Sequence, residues 1–203
     1  MIFLDRFSNE LQNLPGIEAH KKFYPLRFEH IEKPDEVKLS AVGVHLFELE
    51  NELCFILIER SEYEGHHSKQ IAFPGGKKEL FDKDLEETAR RESIEEINIE
   101  MSQARLIGQI TQVYIPVSNF EVYPFLFWHE QVPHYDLSSR EVNDVIIVNC
   151  SDLLNDDNLS EIDIEISTNS KLKKVPCFRM QNKIVWGATA LILSEMRELL
   201  KRL

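Results

Sequence analysis

The chain of 203 residues carries 23 Lys and Arg against 35 Asp and Glu, so its formal net charge at pH 7 is −12. This acidity argues against nonspecific binding to nucleic acid or to an anionic membrane, because such contacts need an excess of Lys and Arg. Hydrophobic residues make up 43% of the chain, which is enough for one domain with a packed core. The charge also means that an anionic ligand must be attracted by something other than the overall charge.

Neither the start of the chain nor its cysteines indicate export. The first residues include Asp5 and no uninterrupted apolar run, so they predict no signal peptide. No stretch approaches the roughly 20 apolar residues of a membrane-spanning helix. Cys54, Cys150 and Cys177 are widely spaced and form no CxxC pair, which is typical of a reducing compartment. We therefore expect a cytoplasmic protein.

The spacing of apolar residues predicts strands in the middle of the chain with helices before, between and after them. The predicted elements, in chain order, are a helix over 2–13 ended by Pro15-Gly16, a loop to about Lys38, a hairpin of Ala41–Leu49 and Cys54–Glu59, a short strand at Gln70–Phe73, a turn at Pro74-Gly75-Gly76, a helix from Asp84 to about Ile97, strands at Leu106–Tyr114, Glu121–Trp128 and Val142–Val148, a polar loop, a strand pair and a last helix with Ala188, Ile192, Met196, Leu199 and Leu203 in one stripe. This order favours an α/β sandwich.

The middle helix has clear signals at both ends. Asp84 is a suitable N-cap, and Glu87 follows three residues later, as in a capping box. Asn98 stands where the helix should end, and Asn often adopts the left-handed conformation that closes a helix. A helix from Asp84 to about Ile97, closed by Asn98, is therefore predicted from local chemistry alone.

Three carboxylates crowd one side of this helix. At 100° per residue, Glu92, Glu95 and Glu96 fall within an arc of about 100°. A solvated acidic face is the simpler interpretation, but a Gly-Gly pair upstream and Arg91 next to the first Glu favour a site. Carboxylates that converge on one point suit a hard divalent cation such as Mg²⁺ or Mn²⁺.

The run Arg91-Glu-Ser-Ile-Glu-Glu-Ile-Asn-Ile99 resembles the second half of the Nudix box, Arg-Glu-apolar-x-Glu-Glu-x-Gly-apolar. Asn98 replaces the Gly of that pattern, and the small Ser93 occupies an apolar position. The first half is one residue longer than the pattern, so its acidic residue is either Asp82 or Asp84.

A second signature resembles the coenzyme A pyrophosphatase branch of the Nudix family. It consists of Leu57-Ile-Glu-Arg-Ser61 followed by His67-Ser-Lys-Gln-Ile-Ala-Phe-Pro-Gly-Gly76, with Lys69 in place of a Gly. Tyr114–Pro124 and Ile184–Ala190 add two further similarities, so the likeness runs from about residue 38 to the C-terminus.

This resemblance implies a Nudix-type α/β/α sandwich with a mixed, largely antiparallel sheet, formed by residues 38–203 after an extension of residues 1–37. It also implies metal-dependent hydrolysis of the diphosphate of coenzyme A, or of a derivative, to 3′,5′-ADP and 4′-phosphopantetheine. Members of the family are often dimers, so a homodimer is a further expectation. A nucleotide is then the small-molecule partner. Two alternatives are a Nudix pyrophosphatase for another nucleoside diphosphate derivative, such as ADP-ribose, and a nucleotide-binding module without catalysis.

The resemblance also assigns expected roles to individual residues. Glu92 and Glu96 are the expected metal ligands, and Glu95 is either a ligand or a base. Arg91 is expected to reach Glu95 or Glu87 and to fix the rotamer of the glutamate that it contacts. The expected substrate-binding residues are Arg60, His67, Gln70, Gly75, Gly76 and Lys77. For Arg60 the alternative is a strand-end ion pair, and for His67 a loop residue that binds no ligand. The general base is left open among Glu95 and the loop acids Glu121, Asp136 and Glu141.

Overall fold

The computed structural model describes residues 2–28, 33–61, 70–137, 141–167 and 170–203. Its helices and strands follow in chain order: α1 Ile2–Glu10, α2 Gly16–Phe23, β1 Lys38–Leu49, β2 Glu52–Arg60, β3 Ile71–Ala72, β4 Gly75–Lys77, α3 Leu85–Ile97, β5 Arg105–Gln109, β6 Val113–Ile115, β7 Phe120–Trp128, β8 Val142–Asn149, α4 Cys150–Leu154, β9 Leu159–Ser167, β10 Ser170–Met180, β11 Lys183–Val185 and α5 Gly187–Leu200. Short 3₁₀ turns follow α1 at Leu11–Asn13 and α2 at Pro25–Phe28.

The main sheet has eight strands and is built around the long strand β1. The strand order along its main path is β3-β2-β1-β7-β5, while β4 pairs with β1, β6 with β7 and β8 with β2. The pairing of β1 with β7 is parallel and the other strand pairs of this sheet named above are antiparallel, so the sheet is mixed. Strands β9, β10 and β11 form a separate three-stranded sheet.

Helices cover both faces of the main sheet, because alternate strand residues on each face are apolar. One core contains Ala89 and Ile97 of α3 together with Phe47 of β1. The other contains residues of α1 and most of the apolar stripe of α5, with strand residues such as Leu46 between them. The predicted α/β/α sandwich with a mixed, largely antiparallel sheet is confirmed.

The central hairpin and the middle helix lie where the sequence predicts them. Strands β1 and β2 pair with Leu49 opposite Glu52, and both turn residues, Glu50 and Asn51, have positive φ angles. The twist of such a turn matches that of the strands it joins. Leu106–Tyr114, predicted as one strand, is divided into β5 and β6.

Two segments differ from the prediction. Residues after Pro15-Gly16 were expected to form a loop, but they form helix α2. Gly75 and Gly76 were expected to lie in a turn, but they form strand β4, in which Gly75 pairs with Val42 and Gly76 with Ala41 of β1. In both cases long-range contacts override the local preference for a break.

The N-terminal helices are attached to the last helix by a buried carboxylate. Glu195 of α5 accepts hydrogen bonds from the backbone N–H of Gly16 at 2.9 Å, from the N–H of Thr111 at 3.0 Å and from its hydroxyl at 2.8 Å. The Nε2 atom of His20 lies 3.5 Å from the same carboxylate. These contacts place α2 against α5 and against the connection between β5 and β6, which contains Thr111.

Two further observations concern the predictions on export. Among the described residues, no helix combines the length and the apolar character that a membrane crossing requires. Cys54, Cys150 and Cys177 are all buried and unbonded to one another, as their spacing predicts.

Candidate functional site

Helix α3 begins and ends as its sequence predicts. The carboxylate of Asp84 accepts a hydrogen bond from the N–H of Glu87 at 2.9 Å, so Asp84 is the N-cap. The Glu87 side chain accepts from the N–H of Lys83 at 2.6 Å instead of completing the reciprocal bond to residue 84. Asn98 has φ 47° and ψ 36°, the left-handed conformation that closes a helix.

Arg91 ties the loop before α3 to the helix. Its guanidinium contacts both oxygens of Asp82, at 2.9 and 3.0 Å, and donates a further bond to the carbonyl of Lys77 at 3.0 Å. The hydrogen bonds with Arg91 lower the pKa of Asp82 and raise that of Arg91. Of the two acidic residues that the sequence left open, Asp82 therefore pairs with Arg91, while Asp84 caps the helix.

Arg91 also holds two of the three helix carboxylates. Its Nη1 atom lies 2.7 Å from Oε1 of Glu92 and 2.9 Å from Oε2 of Glu95. The Glu92 side chain is 16% exposed and the Glu95 side chain 57%. Burial raises the pKa of Glu92 despite the contact with Arg91. The expected contact of Arg91 with Glu95 is thus present, and Glu87 has a different partner.

Glu96 is the buried carboxylate of the site. Its Oε2 atom accepts a hydrogen bond from the N–H of Gly75 at 2.8 Å, and its Oε1 atom lies 3.1 Å from Nη1 of Arg60. Burial raises the pKa of Glu96 to about 7, and Arg60 and the Gly75 amide offset only part of that rise. Arg60 thus forms an ion pair at the end of its strand, which was the alternative to a substrate-binding role, and its partner Glu96 belongs to the candidate metal site.

Strand β4 passes close to these carboxylates because its first two residues have no side chain. A Cβ atom at Gly76 would lie 2.5 Å from Cδ of Glu92. At Gly75 it would lie 2.3 Å from the carbonyl oxygen of Ala41. Glycine is therefore required at Gly75, where a side chain would meet the backbone of β1, whereas at Gly76 it would displace the flexible end of the Glu92 side chain.

The remaining predicted substrate-binding residues lie at different places. The carbonyl of Gln70 accepts a hydrogen bond from the N–H of Arg60 at 3.0 Å, so Gln70 is next to the Arg60–Glu96 pair. Lys77 follows Gly76 in β4, and its side chain is 58% exposed. His67 and the neighbouring Lys69 lie outside the described residues, so their predicted roles stay predictions.

Among the loop acids proposed as bases, Glu141 is the one whose charge acts on the site. It contributes to the raised pKa values of both Glu92 and Glu96. Glu121 is instead buried, with Nζ of Lys33 at 2.6 Å from its carboxylate. Asp136 lies beyond the end of α3, where its N–H bonds to the carbonyl of Ile97.

The donor set suits a hard divalent cation, although the carboxylates have protein partners in this arrangement. Within the described ranges, no three His, Cys, Asp or Glu side chains are grouped as a formed metal site. Glu92 and Glu95 share Arg91, and Glu96 faces Arg60. Two of these carboxylates have pKa values raised by burial, and a cation would favour their charged forms. The residues therefore fit Mg²⁺ or Mn²⁺ by their chemistry.

Comparison with known sequences identifies the family. Residues 37–168 match the model of the NUDIX domain. The chain belongs to the Nudix family. An uncharacterized Nudix hydrolase NudL from Enterobacter sp. (strain 638) is 30% identical over 141 residues, which cover 70% of this chain and 72% of that one. The Yersinia pestis (strain Pestoides F) protein of the same name is 26% identical over 97% of this chain and 92% of its own. A shorter match, to NudL of Yersinia enterocolitica, is 34% identical over 49% of this chain and 53% of the relative.

Solved structures support the fold of this Nudix protein. The MutT protein from Methanosarcina mazei Go1 superposes with a TM-score of 0.52 and 21% identity, covering 86% of this chain and all of that one (100%). A MutT/nudix family protein from Enterococcus faecalis gives a TM-score of 0.51 and 13% identity over 96% of this chain and 73% of its own. At such identities the likeness concerns the fold alone.

Proposed function

We propose that this Nudix protein is a metal-dependent hydrolase that cleaves the diphosphate of coenzyme A, or of a derivative, to 3′,5′-ADP and 4′-phosphopantetheine. The observation that carries the proposal is the ion pair between Arg60 and Glu96. It joins the segment that resembles the coenzyme A branch, which contains Arg60 and ends in Gly75-Gly76, to the segment that resembles the Nudix box and contains the helix carboxylates. A hydrolase is also what the family membership supports.

The reaction adds water across the bridge between two phosphorus atoms. One new P–O bond forms to the water oxygen, one bridging P–O bond breaks, and the water gives up a proton. A bound Mg²⁺ or Mn²⁺, held by Glu92 and Glu96 with Glu95 as a further ligand or base, supplies charge neutralisation and a more acidic water. In an acidic protein, this neutralisation answers the question of how a polyphosphate is attracted.

The protein side chains supply the order of the site. Arg91 holds Glu92 and Glu95 in fixed rotamers and is itself fixed by Asp82. Glu141 and Glu95 are the acceptors we propose for the proton of the attacking water. Arg60, which faces Glu96, is the side chain we propose for binding an anionic group of the substrate. Lys77, on the exposed side of β4, adds a second positive charge, and His67 and Gln70 belong to the same signature.

The proposal is tested by incubating the protein with coenzyme A and Mn²⁺ and separating the products by chromatography. We expect 3′,5′-ADP and 4′-phosphopantetheine in equal amounts. Turnover of ADP-ribose without any turnover of coenzyme A would reject the substrate and keep the reaction. Calorimetric binding of coenzyme A without any product would reject catalysis and favour a nucleotide-binding module.

A further inference from the structure

A chain of buried polar side chains connects helix α3 to strand β1. Nε2 of His45 lies 2.9 Å from Oγ of Ser93, and Nδ1 of His45 lies 3.0 Å from Nε2 of His129. His45 and Ser93 are completely buried (0% exposed), and the His45 ring stacks on Phe127 of β7. Three polar groups therefore lie inside the core, beside the Phe127 ring on which the Arg90 guanidinium also packs.

The geometry of these hydrogen-bonded side chains fixes where their protons lie. The hydroxyl of Ser93 donates to the carbonyl of Ala89 at 2.6 Å, so its oxygen is left to accept the N–H of His45. His45 then carries its proton on Nε2, and its Nδ1 accepts the Nε2–H of His129. Burial lowers the pKa of His45 well below its usual range and that of His129 to about 4, with Arg90 contributing, so both rings are neutral at pH 7.

The backbone of β1 is shaped to admit these side chains. A Cβ atom at Gly43 would lie 2.7 Å from Nε2 of His45 and 2.7 Å from Oγ of Ser93. Any other residue at this position would push apart the two atoms that form the bond. The glycine and the hydrogen bond are therefore parts of one arrangement.

Strand β1 also fixes the position of β4. Val42 pairs with Gly75, Ala41 pairs with Gly76, and the N–H of Gly43 donates to the carbonyl of Pro74 at 2.8 Å. The same short part of β1 thus binds β4 through backbone hydrogen bonds and binds α3 through the His45 side chain. These two attachments help to set the distance between the helix carboxylates and the glycine backbone, together with the bond from Arg91 to the carbonyl of Lys77.

Stability alone gives little reason for this arrangement. Replacing a buried polar network with apolar groups of similar volume is often neutral or favourable, whereas a hydrogen bond requires one relative position of its partners. The Nudix box pattern has an apolar residue at the position of Ser93, next to Glu92 and three residues before Glu96. We propose that His45 and Ser93 are positioning residues, which set α3 so that Glu92 and Glu96 face Gly76 and Gly75. This inference rests on the proposed function for its effect on catalysis.

The test uses variants that remove or keep the hydrogen bond between His45 and Ser93. His45→Leu and Ser93→Ala each remove it, while His45→Gln keeps an amide that can donate to Ser93 and accept from His129. Ser194→Ala is the matched control, because Ser194 is also a buried helical serine that donates to a backbone carbonyl, that of Leu191 at 2.7 Å. It lies in α5, on the other face of the sheet.

We expect His45→Leu and Ser93→Ala to lower kcat for coenzyme A about 10-fold or more with little change in KM, since a small displacement of reacting groups has effects of this order. The double variant should be no worse than the poorer single variant, because both single variants already remove the shared hydrogen bond between His45 and Ser93. His45→Gln should recover most of the rate, and Ser194→Ala should keep the rate of the wild-type protein.

A readout independent of turnover is the hydrogen exchange of the Gly75 amide, which donates to Glu96. In His45→Leu and Ser93→Ala this exchange should accelerate about 10-fold or more. The Lys78 amide at the other end of β4, which donates to the carbonyl of Leu39, should stay as in the wild-type protein. Unchanged exchange at Gly75, or an unchanged kcat in an active enzyme, overturns the inference. If the wild-type protein hydrolyses no coenzyme A, the proposed function fails, and the exchange at Gly75 still decides the positioning role.

Discussion

The two faces of the main sheet each contain a buried glutamate, and the two have opposite electrostatics. Glu96 on α3 has a pKa raised to about 7, because burial outweighs its two partners, Arg60 and one backbone amide. Burial also acts on Glu195 of α5, but hydrogen bonds from Thr111 and Gly16, with His20 nearby, outweigh it and lower the pKa.

The difference indicates how the number of donors can distinguish a structural carboxylate from a candidate for the active site. Glu195 has its charge fully satisfied and holds the N-terminal helices in place. Glu96 keeps an unfavourable charge that a cation would relieve. A buried acid with few donors, next to a glycine strand and other acids, is a better candidate for function than an equally buried acid with many.

The sharpest test of this contrast is the same substitution at both positions. Glu96→Gln should lower turnover by about 100-fold or more, since the proposed metal ligand is lost, while the amide oxygen can still accept from Gly75. Glu195→Gln should leave turnover within about twofold, because it lies on the other face. Rates are measured with coenzyme A and Mn²⁺, and unfolding is followed by circular dichroism. Near-normal turnover of Glu96→Gln would remove Glu96 from the metal site.

Glu195→Ala should have the largest effect on stability. It leaves three donors without an acceptor, the N–H groups of Gly16 and Thr111 and the Thr111 hydroxyl, so we expect a loss of about 3 kcal/mol in the free energy of unfolding. Urea denaturation measures the loss, and turnover per folded molecule should be unchanged. A loss below about 1 kcal/mol would show that water replaces these contacts.

Gly76→Ala should disturb the candidate site without disturbing the fold. The added methyl group meets the end of the flexible Glu92 side chain, which can move, so we expect about 10-fold lower turnover with normal stability. Gly75→Ala is the matched variant, and its methyl group meets the backbone of Ala41 and Val42, so stability should fall. The prediction fails if the two variants behave alike in thermal unfolding.

The pH dependence of stability should differ between the wild-type protein and the Glu195→Gln variant. Because the pKa of Glu195 is lowered on folding, the folded state binds fewer protons at this group than the unfolded state. Its stabilising contribution is therefore complete above the unfolded pKa of about 4.3 and is lost as the pH falls through the folded pKa. The difference in unfolding free energy between wild-type protein and Glu195→Gln should shrink as the pH is lowered from about 6 to about 3. A constant difference would contradict the lowered pKa.

Local patterns in the sequence predict the elements that local chemistry determines. The cap at Asp84, the helical period and the left-handed Asn98 are each read from a few neighbouring residues. The hairpin of β1 and β2 is predicted for the same reason, and the family resemblance extends these elements to the whole fold.

Long-range contacts are what the sequence does not show. Helix α2 was missed because Pro15-Gly16 was interpreted as a stop, whereas Gly16 starts a helix that is bound to Glu195. The choice between Asp82 and Asp84 needed the position of Arg91. No pattern indicated His45, since its partners, Ser93 and His129, come from separate elements.

The contact between Gly16 and Glu195 also has a consequence for biosynthesis. The two residues are 179 positions apart, and Arg202 near the C-terminus contacts the carbonyl of Asn13. During translation, Leu4 and Phe7 of α1 leave the ribosome long before α5, whose apolar residues lie in the same core. Such distant contacts form late, and apolar surface waiting for its partner favours aggregation. The segment that contains α1 is therefore made well before α5 and is one of the last to reach its final place.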